Sequence, residues 1–416
     1  MSTVAVAAVG SRGDVEPLTG VGVALQRAGH RVVMAAYTPF ADLITGRGLE
    51  FLELPADFTP GADHADATSK DTLAAIFTPR GVREAGQLIL DAFNDVPADI
   101  LLLSPLSELA GHPLAEARGI PSMGVRLQPL SATADHPPSL LGVRSLGAAG
   151  NRLAADSAAW MIDRLYSGVV AGFRRDLALP TISARTLRRQ RTQANWPILH
   201  GYSPTIAPRP ADWRPGLQVV GYWWPAPDPA WQPPPVLADF LAAGPPPVFI
   251  GLGSTVVTAS RAEQLSDVIA RAARLAGTRA VVQTGWAGLD VAGDDILNIG
   301  DTPHDWLFPR MAAVAHHCGA GTTAAALRAG TPTIALPGPV GDQRFWARRV
   351  HALGASAATI PQRALTAQRL AGAITAAVTD RQTRDRTERL RARVTDDDGA
   401  ARVVATVEKL LHQSTN

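Results

Sequence analysis

Apolar residues along this chain follow two alternating rhythms. Short runs such as Thr3–Val9, Leu49–Leu54, Asp99–Ser104 and Pro121–Arg126 have the length and composition of strands buried on both faces. Between them, segments such as Leu18–Ala28 and Gly81–Phe93 place apolar residues every three to four positions, which is helical spacing. The second half repeats the alternation. Strands are predicted at Pro247–Gly253, Arg279–Gly285, Ile296–Gly300, Met311–His317 and Thr331–Leu336. Helices are predicted at Arg261–Ala276, from Gly319 to Ala329, at Ala367–Val378 and at Arg389–Leu411. Strand–helix alternation of this kind predicts an α/β chain with two parallel, doubly wound sheets.

A chain of 416 residues exceeds one ordinary core, and two domains of about 200 residues are the natural division. From Pro204 to Pro247 the chain holds 13 of its 33 prolines and four of its nine tryptophans. So much proline excludes regular helix and central strand and predicts an extended, semi-rigid linker. The expected division is 1–215 for the first domain, 216–385 for the second, and 386–416 for a C-terminal helix that returns to the first. Another long helix is expected at Asn151–Leu179. The polar stretch Ala56–Pro79 has no period and reads as a functional connection.

Charge narrows the function classes. The balance of 39 basic and 37 acidic residues argues against a nucleic-acid binder. Lysine occurs only at positions 70 and 409, so arginine carries nearly all the positive charge, as in proteins from GC-rich bacterial genomes. A single cysteine, no leader-like start and no apolar run near 18 residues predict a cytoplasmic protein without a membrane span. Arg185–Arg191 is the strongest basic cluster and reads as a solvated helix face, with a weak anionic-membrane patch as the lesser alternative. His64, His112 and His136 lack metal-ligand spacing and read as loop histidines. Asp396-Asp397-Asp398 reads as a helix-capping or solvated run.

Candidate chemistry lies where glycines separate a strand from a helix. Gly319-Ala320-Gly321-Thr322-Thr323 follows an apolar run and opens an Ala/Leu-rich helix. Unpaired N–H groups and the helix dipole at such a point suit a phosphate or diphosphate, although a plain tight turn has the same sequence. Gly253-Ser254-Thr255 is a similar turn. Near the N-terminus, Gly10-Ser11-Arg12-Gly13-Asp14-Val15-Glu16-Pro17 has neither GxGxxG nor GxxxxGK[ST], which excludes the usual dinucleotide and P-loop readings. On residues alone, Asp14 is a capping or turn aspartate.

His316-His317-Cys318-Gly319-Ala320-Gly321-Thr322-Thr323, preceded by PHDWLFPR and followed by Gly341-Asp342-Gln343, resembles the donor signature of family 1 glycosyltransferases. The nearest resemblance is to sterol glucosyltransferases and bacterial enzymes that glycosylate glycopeptide and polyketide antibiotics. It implies the GT-B fold, with the nucleotide-sugar donor in the second domain and a hydrophobic acceptor in the first. In that family His317, Gly319, Ala320 and the N–H groups around Gly321, Thr322 and Thr323 would hold the donor diphosphate. Asp342 and Gln343 would meet the transferred sugar. Gly253, Ser254 and the Thr302 backbone would lie by the nucleotide, and Ser11, Arg12 and Gly13 by the phosphates. GSRGDVEPL resembles the subgroup's first loop, whose aspartate (here Asp14) stands where relatives carry a catalytic histidine, implying a base. Ala56–Pro79 and Leu127–Leu146 would cover and line the acceptor pocket.

The resemblance further implies UDP-glucose or a TDP-sugar as co-substrate, no bound cofactor and no metal. Three departures stand out. Cys318 replaces the usual bacterial glycine with little expected effect. The turn Gly338–Gly341 is a residue longer than in relatives, which bears on Asp342. Asp301 stands where plant relatives stack the nucleobase on tryptophan, and Trp306 reads as core. A nucleotide-sugar 2-epimerase and a non-catalytic auxiliary protein of the same fold are the alternatives.

Overall fold

Seven parallel strands form the first sheet in the order β3-β2-β1-β4-β5-β6-β7. They are β1 (Thr3–Ala7), β2 (Arg31–Tyr37), β3 (Glu50–Leu54), β4 (Ile100–Leu103), β5 (Ser122–Arg126), β6 (Ile198–His200) and β7 (Leu217–Val219). The second sheet has six parallel strands in the order β10-β9-β8-β11-β12-β13. These are β8 (Val248–Gly251), β9 (Ala280–Gln283), β10 (Ile296–Ile299), β11 (Ala313–His316), β12 (Thr333–Ala335) and β13 (Ser356–Thr359). This computed structural model describes residues 1–55, 77–141, 144–339 and 341–415. Most of the expected acceptor cover at 56–79, with His64, lies outside the described residues. So do positions 142 and 143 of the expected acceptor wall, and Val340.

The apolar runs occupy the sheet centres for the reason their composition gave. Val4 pairs in register with Val32 and with Ile100, and all three are almost wholly buried. Both sheets reverse their winding beside their first strand. The switch points fall between β1 and β4 in one sheet and between β8 and β11 in the other. Ligands of doubly wound sheets bind beyond the carboxyl ends of strands at such points. The Gly10–Asp14 turn follows β1, Gly253–Thr255 follows β8, and His317–Gly319 follows β11.

Several elements differ from the sequence expectation. The first helix begins at Arg12 rather than Leu18 and carries Pro17 within it; beyond the first turn, that proline leaves the helix without one of its main-chain hydrogen bonds. The first sheet takes in Leu217–Val219 as an edge strand, so the chain leaves that sheet beyond the 215 boundary. Edge pairing suits a proline-flanked strand. Within the proline-rich segment a helix also forms at Pro235–Ala242, with proline at its first position. The expected helix 389–411 is broken in two, Arg381–Thr395 and Gly399–Thr415. The Asp396–Asp398 run is the break: Asp398 Oδ1 accepts the Ala401 N–H at 3.0 Å, and the Asp397 carbonyl accepts the Trp224 indole N–H at 3.3 Å. Past it, Gly399–Thr415 packs on the first helix (Arg12–Arg27), with Val403 and Val407 fully buried in the first sheet's core.

The basic cluster forms the helix Ala184–Gln193, but only part of it is solvated. Arg185 and Arg189 are exposed. Arg188 pairs with buried Asp163 at 2.8 Å, and Arg191 turns inward to Glu108, where its guanidinium lies 3.9 Å over the Trp196 ring. His112 lies in the Glu108–Arg118 helix rather than a loop, edge-on to Trp196.

The returning C-terminal helix should be part of the first domain's stability. Changing Val403 and Val407 together to alanine removes four buried methyl groups, worth roughly 3 kcal/mol before any cavity term is added. Urea unfolding followed by circular dichroism should show the midpoint fall accordingly.

A candidate active site between the two sheets

The carboxyl ends of both sheets open on one cleft of about 1760 Å³. On the first wall, Ser11 is the N-cap of the Arg12–Arg27 helix and Asp14 its third residue. Asp14 Oδ2 accepts from the Ser11 N–H at 2.9 Å and the Ser11 hydroxyl at 3.0 Å. Its other oxygen accepts from the Gln128 amide at 3.3 Å. Asp14 is therefore a capping residue that also lines the cleft. Burial raises its pKa, against the lowering effect of the Ser11 and Gln128 hydrogen bonds.

Arg12 and Gly13 line the same wall. Arg12 is already doubly paired, to Glu16 at 3.0 Å and across the cleft to Asp301 at 2.6 Å. Both walls thus meet through one half-exposed ion pair. Glu16 also faces Arg47 at 3.5 Å.

On the opposite wall, β11 ends at His316 and the backbone turns through Cys318, whose φ of +65° is in the left-handed region. Gly319 then caps the helix Ala320–Ala329. Thr323 donates its N–H to the Gly319 carbonyl at 2.9 Å. The N–H groups of Ala320, Gly321 and Thr322 have no main-chain acceptor among the described residues, as the first turn of a helix dictates. This corrects the expected set: Thr323 is fully buried, its N–H is used, and it does not line the cleft.

The His317 ring lies between two backbones that only glycine allows so near. A Cβ on Gly253, itself at φ +57°, would sit 2.3 Å from the ring, and one on Gly319 would sit 2.5 Å away. Burial, then His304, pushes the His317 pKa down to about 4, so the ring is neutral at pH 7. Its Nδ1 is buried without a hydrogen-bond partner.

Ser254, Thr302, Asp342 and Gln343 also line the cleft. Asp342 caps the helix Gln343–Ala352, which the sequence reading missed. The Trp346 indole N–H donates to its Oδ2. Burial and the like charge of Asp14 push the Asp342 pKa up to about 7. The Gln343 side-chain carbonyl accepts from the Gly338 N–H at 2.6 Å, tying down the turn expected to be one residue longer than in relatives.

Other lining residues were given no role of their own by the sequence. Gln128 falls within the expected acceptor wall, 127–146, but no motif marks it as a partner of Asp14. Glu16 was inside the quoted first loop, and His304 inside PHDWLFPR. Trp306, expected in the core, lines the cleft and stacks edge-on against Trp231. His136 likewise lines it, edge-on to Phe345 of the second half. Among the described residues no group of histidine, cysteine and acidic side chains could hold a metal ion.

Comparison with known proteins agrees with this architecture. Residues 4–101 match the glycosyltransferase family 28 N-terminal domain, and residues 280–410 match the erythromycin biosynthesis protein CIII-like C-terminal domain. The glycotransferase of kitacinnamycin superposes with a TM-score of 0.71 at 19% identity, covering 98% of each chain. VinC, solved with dTDP, superposes at 0.65 and 18% identity over 99% of this chain and all of its own. The architecture is that of the GT-B glycosyltransferases.

The O-mycaminosyltylonolide 6-deoxyallosyltransferase of Streptomyces fradiae is 32% identical over 98% of this chain and 97% of its own. A sterol 3-beta-glucosyltransferase of Arabidopsis thaliana is 32% identical over 97% of this chain, which spans 64% of that protein. One from Saccharomyces cerevisiae is 31% identical, and the chain spans 34% of it. The chain belongs to the glycosyltransferase family that unites these proteins.

Two predictions test the local geometry. At Cys318 the left-handed backbone should invert the ordinary preference for alanine over glycine, because a Cβ costs about 1–2 kcal/mol there. Cys318→Gly should therefore unfold at higher urea than Cys318→Ala. Asp342 gives a pH signature. With its pKa raised from 3.8 to about 7, the folded chain keeps a proton that the unfolded chain releases. Its contribution is thus least unfavourable below pH 4 and stability is lost as pH rises towards 7. Folded Asp342→Asn should lack that loss when the two proteins are compared by urea titration from pH 4 to 8.

Proposed function

We propose that this chain is an inverting glycosyltransferase. It moves a hexosyl group from a nucleotide-sugar donor to a hydroxyl of a hydrophobic acceptor such as a sterol, triterpenoid or polyketide. The observation that carries the reading is one cleft with a half-buried carboxylate on one wall and open helix N–H groups beside a neutral histidine on the other. Asp14 accepts the proton of the acceptor hydroxyl as that oxygen attacks the anomeric carbon. The carbon–oxygen bond to the diphosphate breaks on the opposite side, which inverts the configuration. A pKa raised by burial makes the ionised Asp14 a stronger proton acceptor.

The departing charge falls to the N–H groups of Ala320, Gly321 and Thr322, the helix dipole and the His317 N–H. Asp342 and Gln343 hold the sugar hydroxyls, while Gly253, Ser254 and Thr302 lie by the nucleotide. Ser11 and Gly13 shape the Asp14 turn. Arg12 would have to exchange Asp301 for a phosphate to act on the donor. Apolar residues of the first half, among them Leu109, Leu127 and Ile162, wall the acceptor end. Glucose on UDP is the first donor. The near-complete overlap with the deoxyallosyltransferase favours a second reading, a TDP-deoxysugar. The chemistry needs no divalent metal, and turnover should persist in excess EDTA. The expected setting is the cytoplasm.

Asp14→Asn tests the base. It should lower kcat about 10²- to 10⁴-fold towards an alcohol acceptor and leave the donor Kd unchanged. An acidic phenol should suffer less, and normal turnover of an alcohol by the folded variant would remove Asp14 from the mechanism. His317→Ala should weaken UDP or TDP binding about 10- to 100-fold in calorimetry, the range for a hydrogen bond to a charged group. Unchanged affinity would place the diphosphate elsewhere.

A further inference from the structure

The helix Gly147–Asp176 presents an apolar face that none of the described residues covers. Apart from Met1, Val236 and Leu275, every large apolar side chain exposed among the described residues lies on this helix, at its start or near the cleft. Leu146, Leu153 and Trp160 recur every seven residues, two helical turns, and so stack along one line. Met161 and Leu165 widen that line. Leu153 is 70% exposed and Trp160 54% exposed. Soluble proteins rarely leave so continuous a stripe open unless something binds it.

The unpaired charge beside the stripe is positive. The Arg164 guanidinium lies 6.0 Å over the Trp160 ring, and helical spacing puts Arg175 on the same side. The helix Ala184–Gln193 packs alongside, Leu187 and Ala184 against Val170, and adds the exposed Arg185 and Arg189. None of these four arginines has a carboxylate partner among the described residues. The helix's exposed acids are both engaged, Asp156 by Arg152 and Asp176 by Arg83.

We propose that this face docks on an anionic lipid surface. Tryptophan, leucine and methionine enter the boundary between headgroups and acyl chains, and the unpaired arginines meet the lipid phosphates. No helix among the described residues is long and apolar enough to cross a membrane, so the contact is interfacial. Continuity with the cleft favours lipid over a protein partner. Ile162 and Leu140 are both exposed and line the cleft, which joins the stripe to the acceptor end. An apolar acceptor could then pass from bilayer to cleft. That last step rests on the function proposed above; the docking does not.

The test is sedimentation of the intact protein, without donor or acceptor, with vesicles of phosphatidylcholine alone or mixed with phosphatidylglycerol. Binding to the anionic vesicles is expected at low salt and should weaken as salt is added. The variant carrying Leu153→Gln, Trp160→Gln and Leu165→Gln should bind at least about tenfold more weakly. Arg164→Gln with Arg185→Gln and Arg189→Gln should abolish the preference for phosphatidylglycerol. Failure of the intact protein to bind at low salt, or equal binding by the apolar variant, would overturn the proposal. Light scattering that shows a dimer dissolved by the same variant would also overturn it and assign the stripe to a second copy. With a water-soluble acceptor and no vesicles, the apolar variant should glycosylate at the normal rate. A wild-type chain that binds vesicles yet transfers no sugar would refute the function and leave the docking standing.

Discussion

The packing of Trp346 ties the two halves of the molecule to the chemistry of the cleft. Its ring is 1% exposed in a cluster that draws on both halves, edge-on to Tyr202 and Phe345. Its indole N–H holds Asp342. Nearby, the Arg349 side chain donates to the Ile206 carbonyl at 2.7 Å, a second link between the helix Gln343–Ala352 and the first half. An acid at the cleft edge is thus positioned by aromatic burial between the halves. Burial has a cost as well: it raises the Asp342 pKa, and Asp14 across the cleft raises it further. A shift in how the halves meet would change the environment of both carboxylates at once.

In Asp14 a helix-capping contact and an open position on the cleft share one side chain. Its Oδ2 takes both Ser11 hydrogen bonds, while Oδ1 has only the longer contact with Gln128. Capping immobilises the carboxylate at the start of a helix, and a preorganised group loses little freedom when it acts. The same hydrogen bonds stabilise the ionised form, and burial opposes them. The balance keeps the carboxylate available as an acceptor without leaving it fully solvated. The sequence set these two readings of Asp14 against each other, but in the structure the capping contact and the exposure to the cleft coexist.

The legibility of the chain followed the strength of the local signal. Long apolar runs such as Thr3–Val9 and Pro247–Gly253 predicted strands within a few residues, because burial on both faces leaves an uninterrupted pattern. The three-residue strands β6 and β7 escaped notice, since Ile198–His200 and Leu217–Val219 are too short to show a period. The helix Gln343–Ala352 was hidden by its charge, with three arginines in ten residues. At the site, the turns were readable because glycine marks them. Their consequences needed coordinates: Thr323 faces away although it closes the motif, Arg12 reaches Asp301 across 289 positions of sequence, and Gln128 joins Asp14 from the stretch expected only to wall the pocket. Arg191 was misjudged for the same reason, as its partner Glu108 lies far away in sequence.

The two walls of the cleft are built from different materials, and this bears on what can vary within the family. The second wall is mainly backbone: two glycines flanking His317, the N–H groups of a helix end, and a turn at Gly338 tied to Gln343. A side chain can hardly change there, because Cβ atoms at Gly253 or Gly319 would collide with the His317 ring. The first wall is built largely from side chains on the Glu108–Arg118 and Gly147–Asp176 helices and on the loop after β5. Those positions can exchange size and shape while the sheet beneath them stays intact. A wall of fixed amides opposite a wall of replaceable side chains fits a family whose members at about 32% identity include a plant sterol glucosyltransferase and a Streptomyces deoxysugar transferase. Under that division a change of side chain on the first wall leaves the backbone of the second wall in place.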